Sequence, residues 1–380
     1  MSAIKVEEVA SRSDRRQFLD LPYRLYRDSP NWVPPLRVDV AHSLSKKNAF
    51  FEHGRIATFL ARDESGSVVG RIAGIINGQH LAKYDDRMGF VGFFETVERY
   101  DVAAALLDAA TGWLRGKGMS GARGPTNPSM NDVCGMLVEG FDRRPAIMMP
   151  YNPPWYPEYF ERYGFTRAMT MWAYYVHEKY VQVEKMKRGV DLIYRRNPGL
   201  RLRTLDMARF DEDAAVILDI YNEAWSRNWG HVPMTTAEFR QLASQLKKVV
   251  DARVVYIVED GGVPIAFSIS LPDINQVLVK VKDGRLFPLG LLRILAGSKF
   301  GAIHEVRTLL MGVRLSWQGK GLDALLNLAT IENGPQYGYL ASELSWVLDS
   351  NPKLINSLVH MGSVKDKEYA MYEKKVMGGG

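Results

Sequence analysis

The sequence predicts an α/β protein of the α+β kind, made of two copies of one unit, each a central mixed, mostly antiparallel sheet flanked by helices. Three observations predict it. The order strand, helix or helices, hairpin, strand, helix, strand, helix, strand can be read twice along the chain. A length of 380 residues is too great for one ordinary core. Each half has a central hairpin and only one or two crossover helices, which argues against a doubly wound dinucleotide fold. The expected divisions are a first domain over 1–178, a connecting helix and linker over 179–200, and a second domain over 201–377.

In the first half, a short strand at Ile4–Val9 leads to a helix that ends before Pro30, because a residue preceding proline is driven out of the helical region. Residues 28–35, with three prolines, form an irregular connection. Arg55–Ala61 and Val68–Ile76 are β-rich runs, and the Asp63-Glu64-Ser65-Gly66-Ser67 stretch between them has hairpin-turn chemistry. Gly89–Glu95 is a further strand. Val102, Ala105, Leu106, Ala109 and Trp113 recur at helical spacing up to a Gly116-Lys117-Gly118 stop. A strand-like stretch at Gly121–Gly124, a long loop, the helical pattern Pro154–Tyr163 and a strand at Met169–Val176 complete the half.

The second half repeats the order. Val183, Met186, Val190 and Ile193 mark the connecting helix, stopped at Asn197-Pro198-Gly199, and Arg201–Leu205 is a strand. Val216, Ile217, Ile220, Tyr221 and Ala224 form an apolar helix face. Thr235 and Glu238 match a capping box, in which hydroxyl and carboxylate satisfy orphan helix donors. Val254–Val258, the Asp260-Gly261-Gly262 turn and Val263–Leu271 make a hairpin. Val306–Val313 is a strand, Leu322, Leu325, Leu326 and Ala329 supply a helix face, Leu340–Leu348 is a strand, Lys353–Val359 a helix and Tyr369–Lys374 the last strand.

Composition narrows the functional classes. Cys134 is the sole cysteine, which excludes a disulfide framework and a thiolate zinc site. The seven histidines include no pair at metal-ligand spacing on one element, so no metal is expected. The start lacks an apolar signal core. The longest apolar run, 286–303, contains Arg293 and Lys299 and falls short of the roughly 20 residues a spanning helix needs. A cytoplasmic protein with no membrane span is therefore expected. The same run reads either as a packed surface helix or as a lid over a long acyl chain. A net charge of +6 favours anionic partners: coenzyme A, an acidic carrier protein or RNA. The basic stretch 185–203, broken by Asp191, reads as a solvated face, and nucleic acid is not the expected partner.

The sharpest motif is Val313-Arg314-Leu315-Ser316-Trp317-Gln318-Gly319-Lys320-Gly321-Leu322-Asp323. A strand ends, a glycine-rich turn follows and an amphipathic helix begins at once. The first N–H groups of a helix have no internal partners, and its macrodipole is positive there. Gly319 and Gly321 remove side chains that would block a phosphate, and Lys320 adds charge. A structural turn is the competing reading.

This stretch resembles the pyrophosphate motif of the GNAT acetyltransferases, which reads Gln or Arg, two residues, Gly, one residue, then Gly or Ala. Gln318 and Gly321 match, while Asp323 departs and competes with a phosphate. Ala341–Asn351, Met361-Gly362 and Tyr369–Lys374 resemble the family's fifth strand, final turn and last strand. The whole chain resembles bacterial two-domain (tandem) GNAT-like proteins. The resemblance implies an acyl-CoA donor, acetyl-CoA or another, and a small-molecule amine acceptor. It implies that the backbone of Met311, Gly312 and Val313 holds the acyl-pantetheine arm where the fourth and fifth strands splay. Trp346 and Asn351 would border the acceptor; a core tryptophan and a helix cap are the alternatives. Glu305 is the candidate base and a surface glutamate its alternative. Leu358 stands at the family's usual tyrosine place, so Tyr369 or Tyr372 is the candidate substitute, against a packing role.

In the first half, Gly89–Glu95 leads into Thr96-Val97-Glu98-Arg99-Tyr100-Asp101-Val102, which has no glycine and two acidic groups. This half is expected not to bind coenzyme A in the usual way. The loop Gly124–Asp132, rich in turn formers and amides, is either pocket lining or plain surface. The function implied is an acyl-CoA-dependent N-acyltransferase acting by direct transfer. The alternatives are an acyl-carrier or aminoacyl-tRNA-dependent transferase of tandem GNAT type, and a non-catalytic binding protein.

Overall fold

The computed structural model describes residues 4–285 and 301–376, so most of the apolar run at 286–303 lies outside the described residues. In chain order the elements are β1 (Lys5–Glu8), α1 (Arg12–Leu25), α2 (Arg37–Ser43), β2 (Gly54–Arg62), β3 (Val68–Asn77), α3 (Gly78–Tyr84), β4 (Met88–Thr96), α4 (Tyr100–Gly116), β5 (Gly121–Gly124), β6 (Thr126–Asn127), β7 (Val133–Cys134), β8 (Met136–Glu139), α5 (Tyr156–Arg162) and β9 (Thr166–His177). They continue with α6 (Val183–Arg196), β10 (Leu200–Thr204), α7 (Phe210–Trp225), α8 (Thr236–Leu246), β11 (Val255–Asp260), β12 (Val263–Pro272), α9 (Asn275–Leu278), β13 (Glu305–Val313), α10 (Leu322–Asn333), β14 (Ala341–Leu348), α11 (Pro352–Met361) and β15 (Val364–Lys375). Contacts divide the chain into two compact units. One comprises Met1–Thr170, Leu278–Leu295 and Glu368–Gly380, the other Met171–Val277 and Ala296–Lys367.

In the first unit the strands run β1-β2-β3-β4-β5-β15, with β8 also on β15. All pairs are antiparallel except β4–β5, which pairs from Met88↔Gly121 to Phe90↔Arg123. The β2–β3 turn forms because the Asp63 carboxylate accepts from the N–H groups of Ser65 and Ser67. α4 buries Val102, Leu106, Ala110 and Leu114 on one stripe, packed on Ile72, Val91, Phe160 and Tyr372. α1, closed by a Ser11–Asp14 capping box, covers a second cluster with Phe18 and Leu21.

The second unit has the order β9-β14-β13-β12-β11-β10. Its β11–β12 hairpin closes on two residues, Gly261 and Gly262, at φ 56° and 84°. Positive φ at both central positions is the requirement of a tight hairpin turn, and glycine meets it without strain. The Thr235–Glu238 capping box expected from the sequence is present at the start of α8. α10 buries Leu322, Leu325 and Leu326 against Tyr256, Val258 and Ile265, and α11 buries Leu358 and Met361 against Tyr174 and Leu344.

The two units repeat one topology: a lone strand, a hairpin, a fourth strand, and a parallel fifth strand. Their sixth strand differs from the sequence expectation. In the first unit the strand beside β5 is β15, from the end of the chain; in the second the strand beside β14 is β9, from the first half. Both strands were expected, each within its own half. Periodicity identifies a strand but holds no record of its partner. The sequence also left α2, α3 and the short strands β6, β7 and β8 unread. Among the described residues no helix is long and apolar enough to cross a membrane.

Candidate active site

The glycine turn of the second unit opens a helix directly after a strand. β13 ends at Val313, a single 3-10 turn covers Leu315–Trp317, and α10 begins at Leu322 with Gly321 as its N-cap. Gly319 and Gly321 sit at φ 78° and 85°, where a side chain is strained. Gln318, Gly319 and Lys320 are exposed. Among the described residues no acceptor faces the N–H groups of Gly319, Gly321, Leu322 and Asp323. Donors without partners at the positive end of a helix make an anion seat.

Neighbouring side chains hold this turn in place. Arg314 donates to Glu223 and Asp219 on α7, both at 2.6 Å, and to the Pro264 carbonyl. Glu223 also accepts the Leu315 N–H at 2.8 Å. The Gln318 amide donates back to the Val313 carbonyl at 3.2 Å. Lys320 lies over the Trp317 ring, 4.1 Å from its centroid. Asp323, the departure from the motif, has a carboxylate that accepts from the Ser357 hydroxyl on α11 at 3.0 Å. Sequence alone identified neither the Arg314 anchors nor Ser357; their partners lie 34 to 95 residues away in the chain.

Beside the turn, β13 and β14 separate. Their parallel ladder runs from Glu305↔Ala341 to Thr308↔Leu344 and stops, although the strands continue to Val313 and Leu348. At the parting point stands Arg307, 1% exposed. Its guanidinium donates to the Ser345 hydroxyl at 2.9 Å and the Ser345 carbonyl at 3.1 Å, just beyond the last ladder pair. The Ser345 hydroxyl donates to Glu343 at 2.8 Å, and Lys367 donates to the other oxygen of Glu343 at 3.3 Å. A buried charge persists only when paired and hydrogen-bonded, and this chain of contacts satisfies that demand. Charged residues within apolar strands, Arg307 and Glu343, were the available sequence signal.

The expected site residues are distributed as follows. Met311, Gly312 and Val313 lie on the separated stretch of β13, and the Trp225 indole donates to the Met311 carbonyl at 3.0 Å, occupying one of the groups assigned to the pantetheine arm. Glu305 begins β13, three residues before the ladder ends, roughly 10 Å along the strand, and its carboxylate accepts from the Tyr175 hydroxyl at 3.1 Å. Trp346 is half-buried beside Arg307, with its ring centroid 5.5 Å away. Asn351 is an exposed N-cap of α11, accepting from the Leu354 N–H at 3.2 Å. Leu358 is core. Tyr369 and Tyr372 fall in the first unit, fully buried, and are not brought together with Glu305 within either unit. The Tyr372 hydroxyl donates to Glu161 at 3.2 Å, and burial pushes it up to about 12.

In the first unit the corresponding strand edge is occupied by protein. Beyond Phe90 the loop Gly124–Asp132 folds onto β4: the Asn127 side chain accepts the Phe93 N–H at 2.6 Å, and a Cβ at Gly92 would lie 1.6 Å from the Thr126 carbonyl oxygen. The Tyr156 hydroxyl accepts the Thr96 N–H at 2.7 Å and donates to the partly buried Glu95 carboxylate at 3.0 Å. α4 then starts with no glycine and no side-chain cap. That loop is therefore not plain surface; it packs against the strand.

No family model matches the chain. Over 376 residues it is 32% identical to Protein YghO of Escherichia coli (strain K12), covering 98% of this chain and 95% of that protein. Over 381 residues it is 33% identical to the Bacterial ceramide synthase of Caulobacter vibrioides (strain NA1000 / CB15N), covering 98% and 97%. The chain belongs to the family of these two bacterial proteins. Among solved structures, the tandem GNAT protein from the clavulanic acid biosynthesis pathway matches over all of both chains, with a TM-score of 0.56 at 14% identity. A GCN5-related N-acetyltransferase from Sphaerobacter thermophilus matches over 99% of this chain and 96% of that one, with a TM-score of 0.53 at 11% identity. At such identities the likeness is one of fold. This family member has the tandem GNAT architecture, with its glycine turn in the second unit.

Proposed function

We propose that this protein is an acyl-CoA-dependent N-acyltransferase that moves an acyl group directly onto an amine. The observation that carries this reading is the Gly319–Gly321 turn, exposed at Gly319 and Lys320, where the N–H groups of Gly319 and Gly321 meet no acceptor among the described residues as α10 opens beside a strand that has parted from its neighbour. The pyrophosphate of coenzyme A sits on those amides with Lys320 alongside. The pantetheine arm follows the open edge of β13, and the thioester comes to rest near the parting point. The amine nitrogen attacks the thioester carbonyl, the C–S bond breaks, and coenzyme A leaves as its thiol. Glu305, paired with Tyr175 roughly 10 Å along β13 from the parting point, is the proposed base. It takes the amine proton through intervening water, while the leaving thiolate takes its proton from solvent. The name of the Caulobacter relative makes a long-chain amino alcohol the acceptor to try first, since a ceramide is such an amine carrying an amide-linked acyl chain. A cytoplasmic location goes with this reading.

Thermal shift with coenzyme A tests the seat. A ligand at 100 times its Kd stabilises by about 2.7 kcal/mol. The Gly321→Glu variant is expected to lose that response. Lys320→Glu, at an exposed position over the Trp317 ring, is expected to weaken binding about tenfold. A full response in both variants would place the ligand elsewhere and end the proposal. Glu305→Gln is expected to leave coenzyme A binding intact and to lower turnover by about 10²–10⁴; unchanged turnover removes Glu305 from the chemistry.

A further inference from the structure

Three irregularities in the sheet of the second unit fall at one level. β13 carries an extra residue, Leu309, where its pairing with β12 passes from Ser270↔Thr308 to Ile269↔Leu310. The β13–β14 ladder ends at Thr308↔Leu344. On the other side of β14, the ladder with β9 passes from Leu344↔Tyr174 to Val347↔Trp172. Ser345 and Trp346 therefore have no partner in either ladder. A bulge bends its strand and disrupts the local pairing, which accounts for β13 swinging away. It does not account for the backbone left behind on β14, because a buried carbonyl without a donor is costly.

Arg307 meets that demand. It stands opposite Glu343 in the last rung but one, and its guanidinium reaches two residues along β14 to the hydroxyl and the carbonyl of Ser345. Arg307 is 1% exposed and Ser345 4%, so the contact lies inside the sheet. The planar guanidinium fork serves two acceptors of one residue at once, which the point charge of a lysine does not.

We infer that Arg307 is the positioning residue of the donor groove: its guanidinium replaces the rung that the bulge breaks, pins Ser345 away from β13, and keeps the edge of β13 beyond Thr308 free for the pantetheine arm. The inference rests on the acyl-CoA reading above and names the side chain that holds the groove open. Arg307 acts through Ser345 and not on the reacting atoms. Without it, the Ser345 carbonyl finds a donor by closing onto β13, and the arm loses its edge.

Calorimetric titration of the full chain with coenzyme A, and with adenosine 3′-phosphate 5′-diphosphate as the nucleotide part without the arm, tests this. Arg307→Met is expected to weaken coenzyme A about tenfold, the worth of one or two strand-edge hydrogen bonds. The nucleotide, seated on the glycine turn, keeps its affinity in the same variant. Arg307→Lys falls between, and it carries the test if Arg307→Met does not fold. Amide exchange over 309–313 slows in either variant as the edge closes. Unchanged coenzyme A affinity or unchanged exchange means that the bulge alone opens the groove and overturns the inference. An equal loss of both ligands shows a merely structural arginine and overturns it too. Failure of the parent protein to bind either ligand overturns the acyl-CoA reading, and this inference with it.

Discussion

Gly321 and Asp323 stand two residues apart and make opposite contributions at the same helix start. Gly321 frees donors for an anion, while the Asp323 carboxylate, in the first turn, stabilises the helix dipole and repels any phosphate seated there. The Ser357 hydroxyl holds that carboxylate toward α11 and so reduces the conflict without removing it. Asp323→Asn is therefore expected to tighten coenzyme A binding by about two- to fivefold at low salt, the range set by a charge of 0.3–1 kcal/mol at a helix end. The same substitution lowers the thermal midpoint of the ligand-free protein. Weaker binding in a titration of this variant would mean that the carboxylate organises the turn and does not oppose the ligand. The glycines were legible in the sequence because positive φ requires that residue type. Ser357 was not, because one serine on a helix has no pattern to announce a partner 34 residues distant.

At the scale of elements, the glycine turn depends on how β10 and α7 are joined, because α7 carries the Asp219 and Glu223 that hold Arg314. Arg203 on β10 makes two contacts to Asp213 on α7, at 2.7 and 2.8 Å, and the Asp206 N–H adds a third at 2.9 Å. Burial pushes the Asp213 carboxyl up, but these donors and the Arg203 charge outweigh it, and the net shift is downward from 3.8. A carboxyl whose folded value is depressed contributes stability above its unfolded value and loses it as pH falls. Asp213→Asn should therefore be less stable than the parent by about 1.5–3 kcal/mol at pH 7. The difference should shrink once pH drops below about 4. Denaturant titrations at pH 7 and pH 3 that give equal gaps would refute this electrostatic account. Strands and helices of this region followed from their periodicities, and the Thr235–Glu238 capping box from its residue types. The parting of β13 from β14 was expected from the family resemblance and not from periodicity: Val306–Val313 and Leu340–Leu348 each read as a complete strand, and only the charged Arg307 and Glu343 within those apolar runs hint at where the ladder ends. Arg307 bridging to Ser345 is the physical mark of that point, and it requires both strands in place to be seen.

At the scale of the whole molecule, the sequence shows one unit twice, and the fold confirms the repeat while changing how each copy is completed. β15 closes the first unit and β9 the second, an exchange that local alternation cannot encode because pairing partners are chosen by the assembled sheet. The repeat also separates the two copies chemically. In the second, the strand edge after Thr308 is open and ends in an exposed glycine turn. In the first, Asn127 takes the Phe93 N–H and the Thr126 carbonyl lies against Gly92, so the equivalent edge is filled by the chain itself. Displacing that loop would leave a β-strand donor buried without a partner, a cost of about 1–3 kcal/mol before any ligand contact forms. One acyl-CoA per chain is therefore expected, bound in the second unit. Calorimetry with coenzyme A should give a stoichiometry near one, and Gly321→Glu should bring it to zero. A stoichiometry near two, or one site surviving Gly321→Glu, would mean that the first unit binds the donor despite its filled edge.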